Sequence, residues 1–242
     1  MEILAAGYLD NPEDGFGLQQ VLMQDMASVL RGPTALTWSS SRYIAPTRRE
    51  TRLPGFGRAS RIAEDLGYPV LVRNSGGGIV AANEGSISFS LTFPVQDLRH
   101  GLYERYSDGL ALISSALRNL GVPAEAGEVA GEFCPGAYSV RSGGKRGVKH
   151  AGLAQRVKRL SARLEALILV SDTEGLIPVL ESLHGSLDLP FRRDSVADMN
   201  ASVPQVIEAL TQEVRTRYNS VNTSVDRETL ERAQAMRGSW RV

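Results

Sequence analysis

The sequence predicts an α+β fold, an antiparallel or mixed sheet with flanking helices, and two observations carry that prediction. Ser86-Ile87-Ser88-Phe89-Ser90-Leu91 alternates polar and apolar with the two-residue period of a strand, and the glycine-rich stretch ahead of it opens no helix. Helical spacing collects in separate tracts, above all beyond Asp172. Strands and helices segregated in this way imply α+β rather than repeated βαβ units.

In chain order, residues 15–30 place Leu18, Val21, Leu22, Met26, Val29 and Leu30 at helical intervals, with Pro33 beyond Gly32 as the stop. Residues 35–38 read as a short strand running into a polar, basic loop past Pro46. A helix over 58–66 ends at Gly67, and 69–73 has the β-branched content of a strand. Asn74-Ser75-Gly76-Gly77-Gly78 interrupts it, and strands over 79–82 and 86–91 follow, the last half-buried, so the order reads as a meander. Residues 103–120 form a helix closed by Gly121 and Pro123, and 129–170 are short strands joined by glycine-rich loops. Helices over 174–183, 203–218 and 227–236 complete the chain, with soft linkers near Asn200 and Asn219. There is no internal repeat, and 242 residues at 42% hydrophobic content imply one domain, 1–242, mainly helical after about residue 172.

Composition narrows the function. Lys+Arg and Asp+Glu both number 27, so no net field gathers nucleic acid or an anionic membrane. The longest apolar run, 164–170, is broken by Glu165 and is too short to span a bilayer. A single cysteine makes no internal disulfide, and the first residues lack the basic start and apolar stretch of a secretory signal; both point to a reducing cytoplasm.

Three local patterns carry chemistry. Three consecutive glycines, Gly76, Gly77 and Gly78, belong where backbone bends with positive φ or where a ligand lies against bare peptide, and their N–H groups can hold an anion or a carbonyl oxygen. A tight strand connection explains them equally well. Neither a Walker loop nor a dinucleotide fingerprint fits, so no nucleotide is implied. Cys134 stands before Pro135-Gly136, a turn that exposes its side chain, against the alternative of a small buried hydrophobe. Lys149 lies among small and apolar residues in Gly147-Val148-Lys149-His150-Ala151-Gly152-Leu153-Ala154-Gln155. An ammonium near the thiol would favour the thiolate and could stabilise charge developing on an acyl oxygen; the alternative is a solvated surface lysine. His150 should point to the other face of its strand. His100 and His184 sit at no ligand spacing, so zinc is not supported, and no nucleophile-elbow pattern appears for a Ser-His-Asp triad.

Taken together, Arg49-Glu50-Thr51-Arg52-Leu53-Pro54, Val72-Arg73-Asn74-Ser75-Gly76-Gly77, Phe133-Cys134-Pro135-Gly136 and Lys149-His150-Ala151-Gly152-Leu153-Ala154-Gln155 resemble, in order, the motifs of the lipoate/octanoate attachment family of transferases and ligases. The Arg-Asn-Ser-Gly-Gly and Cys-Pro-Gly forms look most like its amidotransferase branch, which moves octanoyl groups off the glycine cleavage H protein. The resemblance implies a biotin/lipoate ligase-like catalytic domain, an acyl-thioester on Cys134 with Lys149 as its catalytic partner, and an acyl tunnel lined by Arg73, Asn74, Ser75, Gly76, Gly77 and Gly78. Gly152 and Ala154 join the substrate-binding set. Octanoyl or lipoyl is then a substrate, and no cofactor is needed. The implied partners are lipoyl-domain proteins, namely the glycine cleavage H protein and the acyltransferase subunits of 2-oxoacid dehydrogenases.

Departures from the family pattern, among them Asn83-Glu84-Gly85 and the insert Ser142-Gly143-Gly144-Lys145-Arg146, bear on donor specificity more than on reaction class. The basic stretch 141–163 is expected to dock acidic lipoyl domains. The competing readings are an ATP-dependent lipoate–protein ligase, an octanoyl-acyl-carrier-protein transferase using the same cysteine, and a silent lipoyl-domain binder.

Overall fold

The computed structural model describes residues 1–99 and 101–241, so His100 lies outside the described residues. In chain order the elements are β1 (Glu2–Leu9), α1 (Pro12–Ala27), β2 (Thr34–Ser40), β3 (Tyr43–Ala45), α2 (Phe56–Asp65), β4 (Val80–Ala82), β5 (Ser86–Pro94), α3 (Leu102–Asn119), β6 (Glu125–Ala126), β7 (Ser139–Ser142), β8 (Val148–Val157), β9 (Ser161–Leu169), α4 (Ile177–Ser186), α5 (Val203–Arg217), β10 (Val221–Thr223) and α6 (Arg227–Gln234). Strands β10-β1-β2-β5-β9-β8-β7-β6 form one eight-stranded sheet, and β3-β4 a separate two-stranded one. The large sheet is parallel only where β1 meets β2 and β10. This is the expected mixed sheet with flanking helices.

Each face of the large sheet has its own apolar cluster. On one, Leu18, Val21 and Leu22 of α1 pack with the small sheet, α2 and α4; on the other, Leu112, Ile113 and Leu117 of α3 pack with Val206, Leu210 and Val214 of α5. This two-sided cover corrects the half-buried reading of β5. Ile87, Phe89 and Leu91 do enter the α3–α5 cluster, but Ser86, Ser88 and Ser90 are equally buried beneath α1. The serines report a second interior where small side chains leave room.

Other boundaries also move. α1 stops at Ala27, and Val29, with φ 59°, turns the chain toward β2, so Val29 and Leu30 are exposed rather than packed. Residues 69–73 are extended but form no regular strand. Their backbone partners are split, Leu71 N–H donating to Ile44 O and Val72 N–H to Trp240 O. There is no meander, because β4 pairs with β3 whereas β5 lies between β2 and β9. β8 and β9 form a long antiparallel hairpin rather than short strands. Strand β1 and the edge strand β10 beside it are not predicted from the sequence, and the carbonyl of Asn219, read as a soft linker, accepts from the Met1 ammonium at 2.6 Å. Among the described residues no helix is long and apolar enough to cross a membrane.

Candidate active site

Two loops and strand β8 converge on Cys134. The glycine loop, 74–78, is latched from below by Glu50, whose buried carboxylate accepts from Thr47 N–H at 2.9 Å and Ile79 N–H at 2.6 Å. Arg73, only 8% exposed, reaches across the inside of the loop. Its guanidinium donates to Gly78 O at 2.5 Å, to Ser75 Oγ at 3.4 Å and to Cys134 Sγ at 3.5 Å. Gly78 N–H donates to the same sulfur at 3.0 Å. Gly77 has φ 95°, and a Cβ there would lie 2.7 Å from Arg73 Nη2 and 2.9 Å from Sγ. The glycine is therefore required both by backbone conformation and by the close approach of thiol and cation.

The second loop carries the thiol. Cys134 has φ 46°, a left-handed conformation uncommon for a residue with a side chain. Glu132, 1% exposed, holds this loop by accepting from Val129 N–H (3.2 Å), Gly136 N–H (3.3 Å) and Ser139 Oγ (2.7 Å). Its carboxylate pairs with Lys149 Nζ at 3.4 Å, and that amine also donates to Phe133 O at 2.9 Å and Cys134 O at 3.0 Å. Lys149 is 1% exposed, so it is not a solvated surface lysine. Burial pushes its amine below the usual lysine range, against the opposing influence of Cys134 and Glu132. The amine does lie near the thiol, on the wall of the same cavity, and its charge interacts with Cys134, but its hydrogen bonds go elsewhere. Left-handed Cys134 presents its carbonyl to Lys149 and its sulfur to the glycine loop, where Arg73 and Gly78 N–H meet it. Gly152 makes room for the lysine, since a Cβ at that position would lie 3.1 Å from Nζ.

The thiol borders a cavity of about 50 Å³ between α1, the small sheet and the inner face of the large one. Its walls are Phe16, Gln19, Trp38, Tyr43, Ala45, Arg73, Val80, Ser88, Phe133, Cys134, Lys149, Gly152, Leu153, Ala154, Glu165, Ala166 and Leu167. Of the residues singled out from sequence, Cys134, Lys149, Arg73, Gly152 and Ala154 thus meet around one space. Asn74, Ser75, Gly76 and Gly77 instead line an adjoining open groove with Arg48, Arg49, Arg156 and Trp240, and Gly78 sits at the sulfur. The reason is the Arg73 side chain, which fills the inner side of the loop and leaves the outer side to the groove.

Three acidic residues central to this arrangement were given no role from sequence: Glu50, Glu132 and Glu165. Glu165 was visible only as the break in the apolar run of β9. In the fold it faces the cavity and accepts from Ser75 Oγ, while Arg163 pairs with it at 2.7 Å and Arg73 at 3.8 Å. Burial raises its pKa, but Arg163, Arg73 and Ser75 outweigh that and hold the carboxyl below the usual range. Arg163 also donates to Asn74 Oδ1 at 3.0 Å, tying β9 to the glycine loop.

Four cations of the basic stretch 141–163 are engaged within the fold, while Lys145, Arg146, Lys158 and Arg159 are exposed. Lys149 and Arg163 are buried, Arg141 pairs with Glu125, and Arg156 donates to Asn74 O. Arg156 and Arg163 are partners across the β8–β9 hairpin and both donate to Asn74 of the glycine loop, so they are engaged at the site rather than on an outer surface. His150 is absent from the cavity wall that Lys149 joins, because the β7–β8 register skips it between Lys149 and Ala151; it is buried against Ser142 Oγ at 2.8 Å, and burial pushes it down to about 4.

Known proteins share this architecture. The model of the lipoyl protein ligase A/B catalytic domain matches residues 11–225. Over 165 residues the chain is 30% identical to an octanoyl-[GcvH]:protein N-octanoyltransferase of Geobacillus kaustophilus, covering 68% of this chain and 57% of that protein. A lipoyl-[GcvH]:protein N-lipoyltransferase of Listeria monocytogenes is 26% identical over 141 residues, 58% of this chain and 50% of the other. The matches thus span little more than half the length of these curated relatives. Among solved structures, a lipoate-protein ligase A bound with ATP superposes with a TM-score of 0.77 at 16% identity, covering 98% of this chain and 94% of the other. A putative lipoate protein ligase from T. acidophilum with bound lipoic acid gives 0.75 at 16% identity, covering 98% and 95%. With the fold shared and the family model matched from residue 11 to residue 225, the chain belongs to the lipoyl protein ligase A/B catalytic domain family.

Proposed function

We propose that this chain moves octanoyl or lipoyl groups between lysines of lipoyl-domain proteins through a thioester on Cys134. The glycine cleavage H protein would be the donor and the acyltransferase subunits of 2-oxoacid dehydrogenases the acceptors. The observation that carries this reading is the setting of the thiol: Sγ borders a largely apolar cavity while a backbone N–H at 3.0 Å and a guanidinium at 3.5 Å are directed at it. Those are the donors a sulfur anion requires. A silent binder would have no use for them.

In the first step the Cys134 sulfur attacks the carbonyl carbon of the donor's acyl-lysine amide. A C–S bond forms, the C–N bond breaks, and the donor lysine leaves as an amine carrying the thiol proton. In the second, the neutral amine of the acceptor lysine attacks the thioester. A C–N bond forms, the C–S bond breaks, and the proton released by the nitrogen returns to the sulfur. One amide replaces another, so the exchange needs no ATP, and the covalent intermediate divides one difficult transfer into two easier ones. Lys149, bonded to two main-chain oxygens of the cysteine loop, keeps Cys134 in its left-handed conformation.

A second reading, ATP-dependent ligation, draws on the arginine-lined groove beside the glycine loop, which would suit phosphates. Intact-protein mass after incubation with an octanoylated lipoyl domain and no ATP separates the two. Covalent transfer predicts a mass gain of one octanoyl group that hydroxylamine removes and Cys134→Ala lacks. Wild-type transfer rates in Cys134→Ala, or product only when ATP is added, would overturn it. An octanoylated acyl carrier protein offered in parallel identifies the preferred donor.

A further inference from the structure

We propose that Trp38 is the end stop of the cavity and sets the length of acyl chain the protein accepts; this deepens the acyl-transfer reading above and rests on it. Trp38 of β2 pairs with Ser88 of β5, Ser88 with Leu167 of β9, and Leu167 with Gly152 of β8. All four line the cavity, so they form one row along its floor, running across four neighbouring strands.

The two ends of the row differ. Gly152 lies against the Lys149 amine, which holds the Cys134 carbonyl at 3.0 Å, and Cys134 lines the same cavity beside them, so this is the thiol end. Trp38 is three strand spacings away, and at about 4.8 Å each that is roughly 14 Å. The seven C–C bonds of an extended octanoyl group, at about 1.5 Å each along a zigzag, reach roughly 9 Å, and the sulfur adds about 2 Å. Allowing for the thickness of the indole, a chain of that length ends against Trp38. A dodecanoyl chain would have to pass through it.

Trp38 is built not to yield. It is 2% exposed, lies 5.8 Å from the Phe16 ring and 6.2 Å from the Tyr43 ring, and has the backbone of α1 against its face. A Cβ at Gly15 would come within 2.4 Å of the indole. Enclosed on these sides, the ring cannot swing aside for a longer chain at small cost. Ser88, one strand nearer the thiol, is the small residue that leaves the last stretch of floor open.

The test is acyl-enzyme formation from hexanoyl, octanoyl, decanoyl and dodecanoyl donors, with variants at both positions. Trp38→Leu should raise the dodecanoyl rate relative to octanoyl by about tenfold or more, and Ser88→Val should lower octanoyl relative to hexanoyl by a similar factor, the scale that one or two methylenes carry in an apolar pocket. Ser88→Val removes nothing large from the core, so it decides the matter if Trp38→Leu does not fold. Calorimetric binding of the free carboxylates of the same lengths to Cys134→Ala reads the floor without any covalent step. Length preferences unchanged by either folded variant in both assays would overturn the proposal. Absence of acyl-enzyme with a binding preference that still shifts in the variants would sink the transfer reading and leave the end stop standing.

Discussion

Lys149 has three ammonium protons and three acceptors, Glu132, Phe133 O and Cys134 O, and this makes it a clamp on the loop that presents the thiol. Removing the amine strands a carboxylate that is 1% exposed. Lys149→Met should therefore cost on the order of 3–5 kcal/mol, read as a lowered urea midpoint. Adding Glu132→Gln should recover part of the loss, and the double-mutant cycle gives the coupling. A Lys149→Met protein with the wild-type midpoint would show that the pair is not structural. At this scale the sequence was partly legible. Cys134 and Lys149 stand out because a turn after a lone thiol and an amine in an apolar strand are both unusual. Glu50, Glu132 and Glu165 do not, because their partners are loop N–H groups and arginines whose nearness exists only in the folded chain.

The glycine loop is an element whose members have different reasons to be glycine. Gly77 is at φ 95° with Arg73 and Sγ where its Cβ would be, whereas Gly76 has nothing within 4 Å of that position. Gly77→Ala should slow acylation of Cys134 by at least about tenfold, the equivalent of about 1.4 kcal/mol in the barrier, while Gly76→Ala leaves it unchanged. Single-turnover acylation followed by mass spectrometry distinguishes them, and equal rates in the two variants would mean that the loop does not position the sulfur. The period of β5 identified a strand correctly, but period alone does not tell solvent from a second buried face, and the serines taken as the wet side are the floor beneath α1.

Across the whole molecule the chain closes on itself through its last residues. Arg232, Arg237 and Arg241 pair with Asp25, Asp14 and Glu13 of α1 at 2.6, 2.6 and 3.0 Å, and Trp240 packs against Phe16. Global stability should fall in acid, and the sign follows from His150. Its folded pKa is depressed to about 4 by burial, so between about 6.5 and 4 the unfolded chain binds a proton that the native protein refuses. Stability from this group is full above about pH 6.5 and is lost as pH falls toward 4, by up to about 3 kcal/mol at about 1.4 kcal/mol per unit. Glu165, also held below its usual range, adds a loss in the same direction at lower pH. Urea unfolding across this window should show the slope, and His150→Gln should flatten its upper part. A slope unchanged in that variant would assign the acid sensitivity elsewhere.

Composition, hydrophobic period and local motifs by themselves determined the α+β class, most of the helices, the strands at the centre of the sheet and the motif residues Cys134, Lys149 and Arg73. These are encoded in neighbouring residues, where spacing and turn chemistry act directly. Only the tertiary structure decided that β1 and β10 extend the sheet in parallel, that 69–73 is shared between two partners, and that Arg73 and Gly78 N–H hydrogen-bond the sulfur. It alone set Trp38 in line with Ser88, Leu167 and Gly152 across strands that are distant along the chain. Register, burial on both faces of a sheet and the convergence of side chains are products of packing, and no local pattern carries them.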